Sequence, residues 1–275
     1  MPPKDSIANT FLVSLVLCVV CSLLVSSAAV ALKPIQEKNK VLDRQKNIIA
    51  AAGLAEDPSV LSASEIEEIF ASKVQPMLLD LETGETEDDD PAFDPRKAAK
   101  DPEQNTAIEG AFDIGQANRE KKTRVYLVNG DNGELEQVVL PIYGMGLWST
   151  LYGYIAVDRD LTTITGLTYY EHAETPGLGG EVENPTWKAK WVGKKVFGDG
   201  VVIADATNDD IKVGVAKGAP TPENQPYQVD GLSGATITSR GVDSMLKYWF
   251  SDEGFGPYLK KLASQQGASD GSANS

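Results

Sequence analysis

The sequence predicts an α+β protein, a mainly antiparallel sheet with helices packed on it, carried behind one N-terminal transmembrane helix. Three observations predict it. Ser6 to Leu32 holds no charged residue, and its apolar part, FLVSLVLCVVCSLLVSSAAVAL, is 22 residues long. From Arg124 onward, short segments rich in β-branched and aromatic residues alternate with Gly-, Asn- and Asp-rich turns. Amphipathic helical patterns stand before and after that run of strands, an order typical of α+β folds rather than of alternating βα units.

Residues 1–10 read as a short tail and 11–32 as the membrane span, since an α-helix needs about 20 residues to cross the hydrocarbon core. Lys4 and the Ala29-Val30-Ala31 stretch also fit a cleaved signal peptide. The apolar run exceeds the usual core of such a peptide, about 7–15 residues, which favours an uncleaved anchor. Lys33, Lys38, Lys40, Arg44 and Lys46 follow the span. By the positive-inside rule they would hold the large domain in the cytoplasm, but that rule weakens for long translocated domains.

Residues 33–80 read as a helical extension. Lys33 to Leu54 is a helix of mixed charge. A second helix opens on the capping-box pair Ser64 and Glu67, with Ile66, Ile69, Phe70, Val74, Met77 and Leu78 at helical spacing. Pro76 would kink or shorten it. Residues 81–106 form an acidic linker, with six carboxylates between Leu81 and Asp90. Clustered carboxylates attract hard cations, but no fixed ligand spacing appears here and no metal site is expected.

Residues 107–261 form the folded domain. RVYLV, LEQVVLPI, WSTLYGYIAVD and TTITGLTYYEH read as strands, the first two joined by the NGDNG turn. NPTWKAKWVGK reads as a helix with Pro185 in its first turn, and GVVIA and DDIKVGVAK as further strands. Val242, Met245, Leu246, Trp249 and Phe250 mark one face of a last helix. Residues 262–275, rich in Ser, Gly, Ala and Gln, read as a disordered tail.

Composition narrows the function. The 275 residues include 25 basic and 40 acidic side chains, a formal charge of −15. This argues against nucleic acid as a partner, because that binding rests on basic patches. The two cysteines, Cys18 and Cys21, lie in the apolar run and read as apolar filler, so disulfides, thiolate metal sites and iron–sulfur clusters are not expected in the domain. The single histidine, His172, cannot build a multi-histidine metal site and reads as a surface residue at a strand end.

Three loops carry the chemistry. EHAETPGLGG (171–180) places Thr175, Gly177, Leu178 and Gly179 after a strand, where glycines expose backbone N–H groups. YGMGLWST (143–150) sets two glycines before Leu147 and Trp148, apolar groups suited to flanking a planar ring. DGLSGATITS (230–239) puts Leu232, Ser233, Gly234, Ala235 and Thr236 at a helix start, where free N–H groups and the helix dipole favour an anion. On the residues alone, Thr236 is either a helix cap or an attachment point.

The Asp230-x-x-Ser233-Gly234-Ala235-Thr236 pattern resembles the flavinylation motif of FMN-binding domains in bacterial respiratory complexes. With GLWSTLYGYIAV and TYYEHAETPGLGGEVENPTW in the same order, the chain resembles the C subunits of the Na+-translocating NADH:quinone reductases, strongly over 124–250 and loosely before it. The resemblance implies that residues 107–261 are an FMN-binding domain. It also implies that FMN is held on Thr236 by a phosphoester bond, installed from FAD by a flavin transferase. Glu174, Thr175, Gly177, Leu178 and Gly179 match the loop that cradles the flavin. Leu147 and Trp148 match the segment beside the ring, and Lys217 a lysine near the phosphate. No catalytic side chain beyond the flavin is implied.

The implied function is that of an electron-carrying subunit between NADH and quinone in a multi-subunit complex. It would sit in the bacterial inner membrane with its FMN domain periplasmic. NADH would bind another subunit, since the chain has no convincing dinucleotide fingerprint. The equivalent subunit of the related ferredoxin:NAD+ electron-transport complex carries the same kinds of motif. An anchored flavin-type binding or sensor module without an electron role, and a secreted structural protein released after Ala31, are the readings from other classes.

Overall fold

The structure, a computed structural model, describes residue 3 and residues 6–273, with side-chain surroundings through residue 267. The chain divides into two compact units, the first ending at Gln45 and the second beginning at Lys46. Helix α1 (Ile7–Ala52) opens where the Asn9 amide donates to Ser6 Oγ at 3.2 Å. Within the first unit its apolar side chains, among them Leu15, Leu23, Leu24 and Val25, are exposed. Its length and composition are those of a membrane-crossing helix, and it is the one such helix among the described residues.

In the second unit, α2 (Ala63–Lys73) leads directly into β1 (Val74–Asp80), followed by β2 (Thr86–Asp88) and the short α3 (Pro95–Ala98). β3 (Asn105–Ala107) and β4 (Asn118–Glu120) form a small antiparallel pair. The long strands β5 (Lys122–Asn129), β6 (Leu135–Met145), β7 (Thr150–Asp158) and β8 (Ile164–Glu171) then make a meander. With the first two strands they complete an antiparallel sheet of order β2-β1-β5-β6-β7-β8. α4 (Pro185–Ala189) follows, then β9 (Gly214–Ala216) and β10 (Gln228–Asp230), which pair in parallel. The chain closes with α5 (Thr236–Phe250) and α6 (Gly256–Ala273).

Both faces of the sheet are covered, so its strands are apolar on both sides. One face packs Val125, Leu140, Ile142 and Ile155 against Trp191, α5 and the start of α6. The other packs Val74, Tyr126, Val139 and Tyr154 against Ile48, Ala51 and Ala52. The predicted face of α5 is wholly buried: Val242, Met245, Leu246, Trp249 and Phe250. Each such side chain contributes about 1.5–3 kcal/mol on burial. Trp249 Nε1 donates to the Tyr143 carbonyl at 2.8 Å, fixing α5 along β6 without leaving the indole N–H unpaired.

Several expectations change. α1 begins inside the predicted tail and runs past residue 32 with Pro34 within it; residues 1, 2, 4 and 5 lie outside the described ones. The capping box is Ser62 with Glu65, two residues earlier than the equally well-spaced Ser64 and Glu67. Val74, Met77 and Leu78 belong to β1, not to a helix. Pro76 is tolerated there because β2 pairs only with Met77, Leu78 and Leu79, so β1 is an edge at the proline. GVVIA is not a strand: Val202 is exposed, and Ile203–Asp205 form a 3₁₀ turn. Of DDIKVGVAK only Gly214–Ala216 is strand, and the helix in NPTWKAKWVGK ends at Ala189. α6 continues through residue 273, its start held by buried Phe255, Tyr258 and Leu259, where a disordered tail was predicted; residues 274–275 lie outside the described ones.

The acidic segment is anchored rather than free in solvent. Arg124 donates from Nε to Asp89 Oδ1 at 2.5 Å and from Nη2 to the carbonyls of Asp90 (2.7 Å) and Phe93 (3.2 Å). Arg96 forks onto Glu171 at 3.0 and 2.9 Å and lies 3.7 Å from the centre of the Tyr152 ring. Arg124 and Asp89 are mostly buried, whereas the Lys122–Glu87 pair (2.7 Å) is open to solvent. Removing one partner of a buried pair costs about 3–5 kcal/mol, and an exposed pair is worth about 0–1 kcal/mol. Arg124→Met should therefore lower the urea midpoint severely and open residues 81–94 to limited proteolysis, while Lys122→Ala should do neither.

Candidate functional site

The site is assembled around Glu174. After β8 the chain turns inward: His172 Nδ1 accepts the Glu174 amide at 3.2 Å, and Ser149 Oγ accepts the Ala173 amide at 2.7 Å. The Glu174 carboxylate, itself buried, accepts amides from Trp148 (2.8 Å) and Ser149 (3.2 Å) on Oε1. Its Oε2 accepts the Leu147 amide (3.2 Å) and the Thr238 hydroxyl (2.6 Å). One carboxylate thus joins the β6–β7 loop, the loop after β8 and the first turn of α5. Burial works to raise its pKa, but the Thr238 hydroxyl and then the three amides outweigh burial and hold it below the ordinary glutamate range.

The fit leaves no room for larger residues. A Cβ on Gly179 would lie 2.5 Å from Glu174 Oε2 and 2.7 Å from Thr238 Oγ1, and one on Gly146 would lie 2.7 Å from Glu174 Oε1. Gly179 is therefore needed for close approach to Glu174 and Thr238. Gly177 is exposed with φ 76° and open space beside it, so the turn rather than packing requires it.

The third loop is held from behind. Lys190 Nζ bonds both Asp230 oxygens at 2.8 and 2.9 Å, and Trp187 Nε1 donates to the Asp230 carbonyl at 3.0 Å. The Leu232 amide donates to Ser239 Oγ at 2.9 Å, folding the turn back onto its own helix. Gly234 takes φ 73°, the left-handed conformation that a side chain resists. Leu232 and Ala235 are buried; Ser233, Gly234 and Thr236 are exposed.

Thr236 is the first residue of α5 and not its cap. Ala235 occupies the cap position, and no side chain caps the helix. Among the described residues the Thr236 hydroxyl has no hydrogen-bond partner, so it stands free in solvent beside uncapped N–H groups. Thr238 is its opposite, buried with its hydroxyl on Glu174. The three loops and the start of α5 also carry apolar side chains that the fold leaves open: Leu147, Trp148, Leu178 and Ile237. Leu147 and Trp148 are fixed through their amides. Leu178 Cδ2 lies 3.0 Å from where a Gly234 Cβ would be. Thr175 is exposed, and its carbonyl accepts the Leu178 and Gly180 amides at 3.1 and 3.0 Å. Lys217 is exposed just after β9, at the point where the Gly231 amide donates to the Ala216 carbonyl at 3.0 Å.

The three predicted loops therefore converge. Sequence reasoning missed Thr238, Ser149 and Lys190 as the groups that hold them. It also misread His172, which is not a surface residue: its side chain is only 10% exposed, with Nε2 3.1 Å from Glu183 Oε1 but poorly aligned for a hydrogen bond. No spacing rule marks a glutamate that caps a distant loop.

The uncapped helix start and the open apolar side chains lie within residues 146–251, which match the FMN-binding domain family. The match covers the region in which all three loops meet. The chain belongs to the family of C subunits of the Na+-translocating NADH-quinone reductases. It is 46% identical to the C subunit of the Yersinia pestis reductase over 261 residues, 94% of each chain. The crystal structure of Shewanella oneidensis NqrC superposes with a TM-score of 0.72 at 34% identity, covering 84% of this chain and 99% of that one. The C subunit from Parabacteroides distasonis gives 0.62 at 30% identity, covering 84% and 96%.

The depressed Glu174 carboxyl sets a pH dependence. Its ionised form contributes stability above its ordinary pKa of 4.5, and that contribution is lost as pH falls through the lower folded value. Glu174→Gln places N–H donors against N–H donors and should cost about 1–3 kcal/mol near neutrality. The Tm difference from wild type should be flat above about pH 6 and shrink as the solution is acidified below the ordinary glutamate range. A difference that grows with acid would contradict the assignment.

Proposed function

We propose that the chain is the electron-carrying C subunit of a membrane-bound Na+-translocating NADH:quinone oxidoreductase, and that it holds FMN by a phosphoester bond to Thr236. The observation that carries this reading is the state of Thr236: exposed, first in an uncapped helix and without a hydrogen-bond partner among the described residues. A flavin transferase would use FAD. In that reaction the Thr236 oxygen would form the new bond to the flavin-side phosphorus as the pyrophosphate P–O bond breaks, with AMP as the leaving group and the hydroxyl proton passing to a base on the transferase.

FMN supplies the redox chemistry when bound; the chain's residues bind and orient it. The amides of Thr236, Ile237 and Thr238 and the dipole of α5 favour the diester's negative charge. Lys217 adds a cation from the β9 side. Leu147, Trp148, Leu178 and Ile237 offer an apolar wall on the scale of a planar ring, which explains why side chains of this size are left open. Glu174 acts behind them, its carboxylate engaged with the protein on both oxygens, and Thr175, Gly177 and Gly179 shape the loop.

The native Thr236 peptide should gain about 438 Da, the mass of FMN less water, and the chain should fluoresce on a denaturing gel. Thr236→Ala should abolish that band while shifting stability by no more than about 0.5 kcal/mol, because the residue is not a cap. Thr236→Ser should be labelled poorly. A band surviving in Thr236→Ala would place the bond elsewhere.

We further propose an inner-membrane location with Asn9 cytoplasmic and Thr236 periplasmic, because a large translocated domain overrides the charge bias after the span. Protease added to intact spheroplasts should digest the second unit. Protection until lysis would reverse the orientation.

A further inference from the structure

Many basic side chains of the second unit are engaged in ion pairs. Lys73, Arg96, Lys122, Arg124, Lys190, Lys195, Lys247, Lys260 and Lys261 all form ion pairs. Arg240 is exposed and has no hydrogen-bond or ion-pair partner among the described residues. It lies four residues after Thr236 in α5. Residues at i and i+4 share a helix face with Cβ atoms about 6 Å apart. Helical side chains lean toward the N-terminus, so the side chain of the later residue covers the earlier one. That geometry brings the Arg240 side chain within reach of the Thr236 hydroxyl along the exposed surface of α5.

We propose that Arg240 is a positioning residue for the flavin phosphate: its guanidinium pairs with the non-bridging oxygens of the diester on Thr236 and, before transfer, draws the FAD pyrophosphate to that hydroxyl. This rests on the Thr236 reading above. The diester keeps one negative charge shared by two oxygens, the acceptor geometry that a guanidinium fork matches with two parallel hydrogen bonds. The backbone amides of the helix start address the same group from the axis, and Arg240 addresses it from the side. An exposed pair of this kind is screened by salt, so its signature is salt dependence.

The test uses the full chain in detergent, purified flavin transferase and FAD. Covalent flavin is followed by gel fluorescence, and the loaded proteins are examined by ³¹P NMR. Arg240→Gln should slow the initial rate of labelling roughly 5-fold at low salt, with the difference disappearing by about 1 M salt. Arg240→Lys should recover part of the rate. The diester ³¹P resonance should move in Arg240→Gln and respond to salt less than in wild type. Lys100→Gln, the same charge change at another exposed position, should label as wild type does, and all three variants should keep the wild-type Tm. Equal rates, equal salt response and an unmoved resonance in Arg240→Gln, with wild type fully labelled, would overturn the role of Arg240 and leave the Thr236 linkage standing. A wild-type chain that acquires no flavin on Thr236 would overturn both.

Discussion

The site depends on a single carboxylate turned inward. Glu174 collects three backbone amides and one hydroxyl from two other segments. A buried charge is costly unless hydrogen-bonded, and here both oxygens are bonded in full. That requirement dictates its surroundings. Glycine stands at 146 and 179 because any Cβ would collide with the carboxylate, and Thr238 is buried because its hydroxyl is the fourth donor. The result is a rigid floor under three loops that would otherwise be independent.

The rest of the domain holds that floor level. α5 is fixed at its far end by the Trp249 bond to the Tyr143 carbonyl and by its buried apolar face, and at its near end by Thr238 on Glu174. The turn before it is tied by Lys190 and Trp187 to Asp230 and by Ser239 to Leu232. With both ends fixed, Thr236 has little freedom of position while its own side chain stays free. Two threonines two residues apart thereby take opposite roles: one is consumed by the structure and the other is presented by it.

Most of the sheet was legible in the sequence. β5, β6, β7 and β8 are long segments of β-branched and aromatic residues with clear turns, and the α5 face follows a 3.6-residue period. β1 was not legible, because its apolar residues continue the helical spacing of α2 and Pro76 argues against a strand; only the shortness of β2 makes the proline acceptable. Two overlapping S-x-x-E patterns hid the true cap of α2. The acidic segment looked solvated because Arg124, its anchor, is distant in sequence. In the candidate site, the three glycine-rich loops were legible as motifs, but the partners of Glu174 lie on other segments, and long-range hydrogen bonds leave no local pattern.

Glu174 joins Trp148 across 26 positions and Thr238 across 64, and Trp249 joins Tyr143 across 106. Contacts so distant in sequence form late, after the costly closure of long loops. The Thr236 turn is tied both locally, through Leu232 on Ser239, and to segments far away in the chain, through Thr238 on Glu174. A surface assembled from such distant parts exists only in the folded chain, so the open face around the start of α5 is a property of the tertiary structure and not of the local sequence.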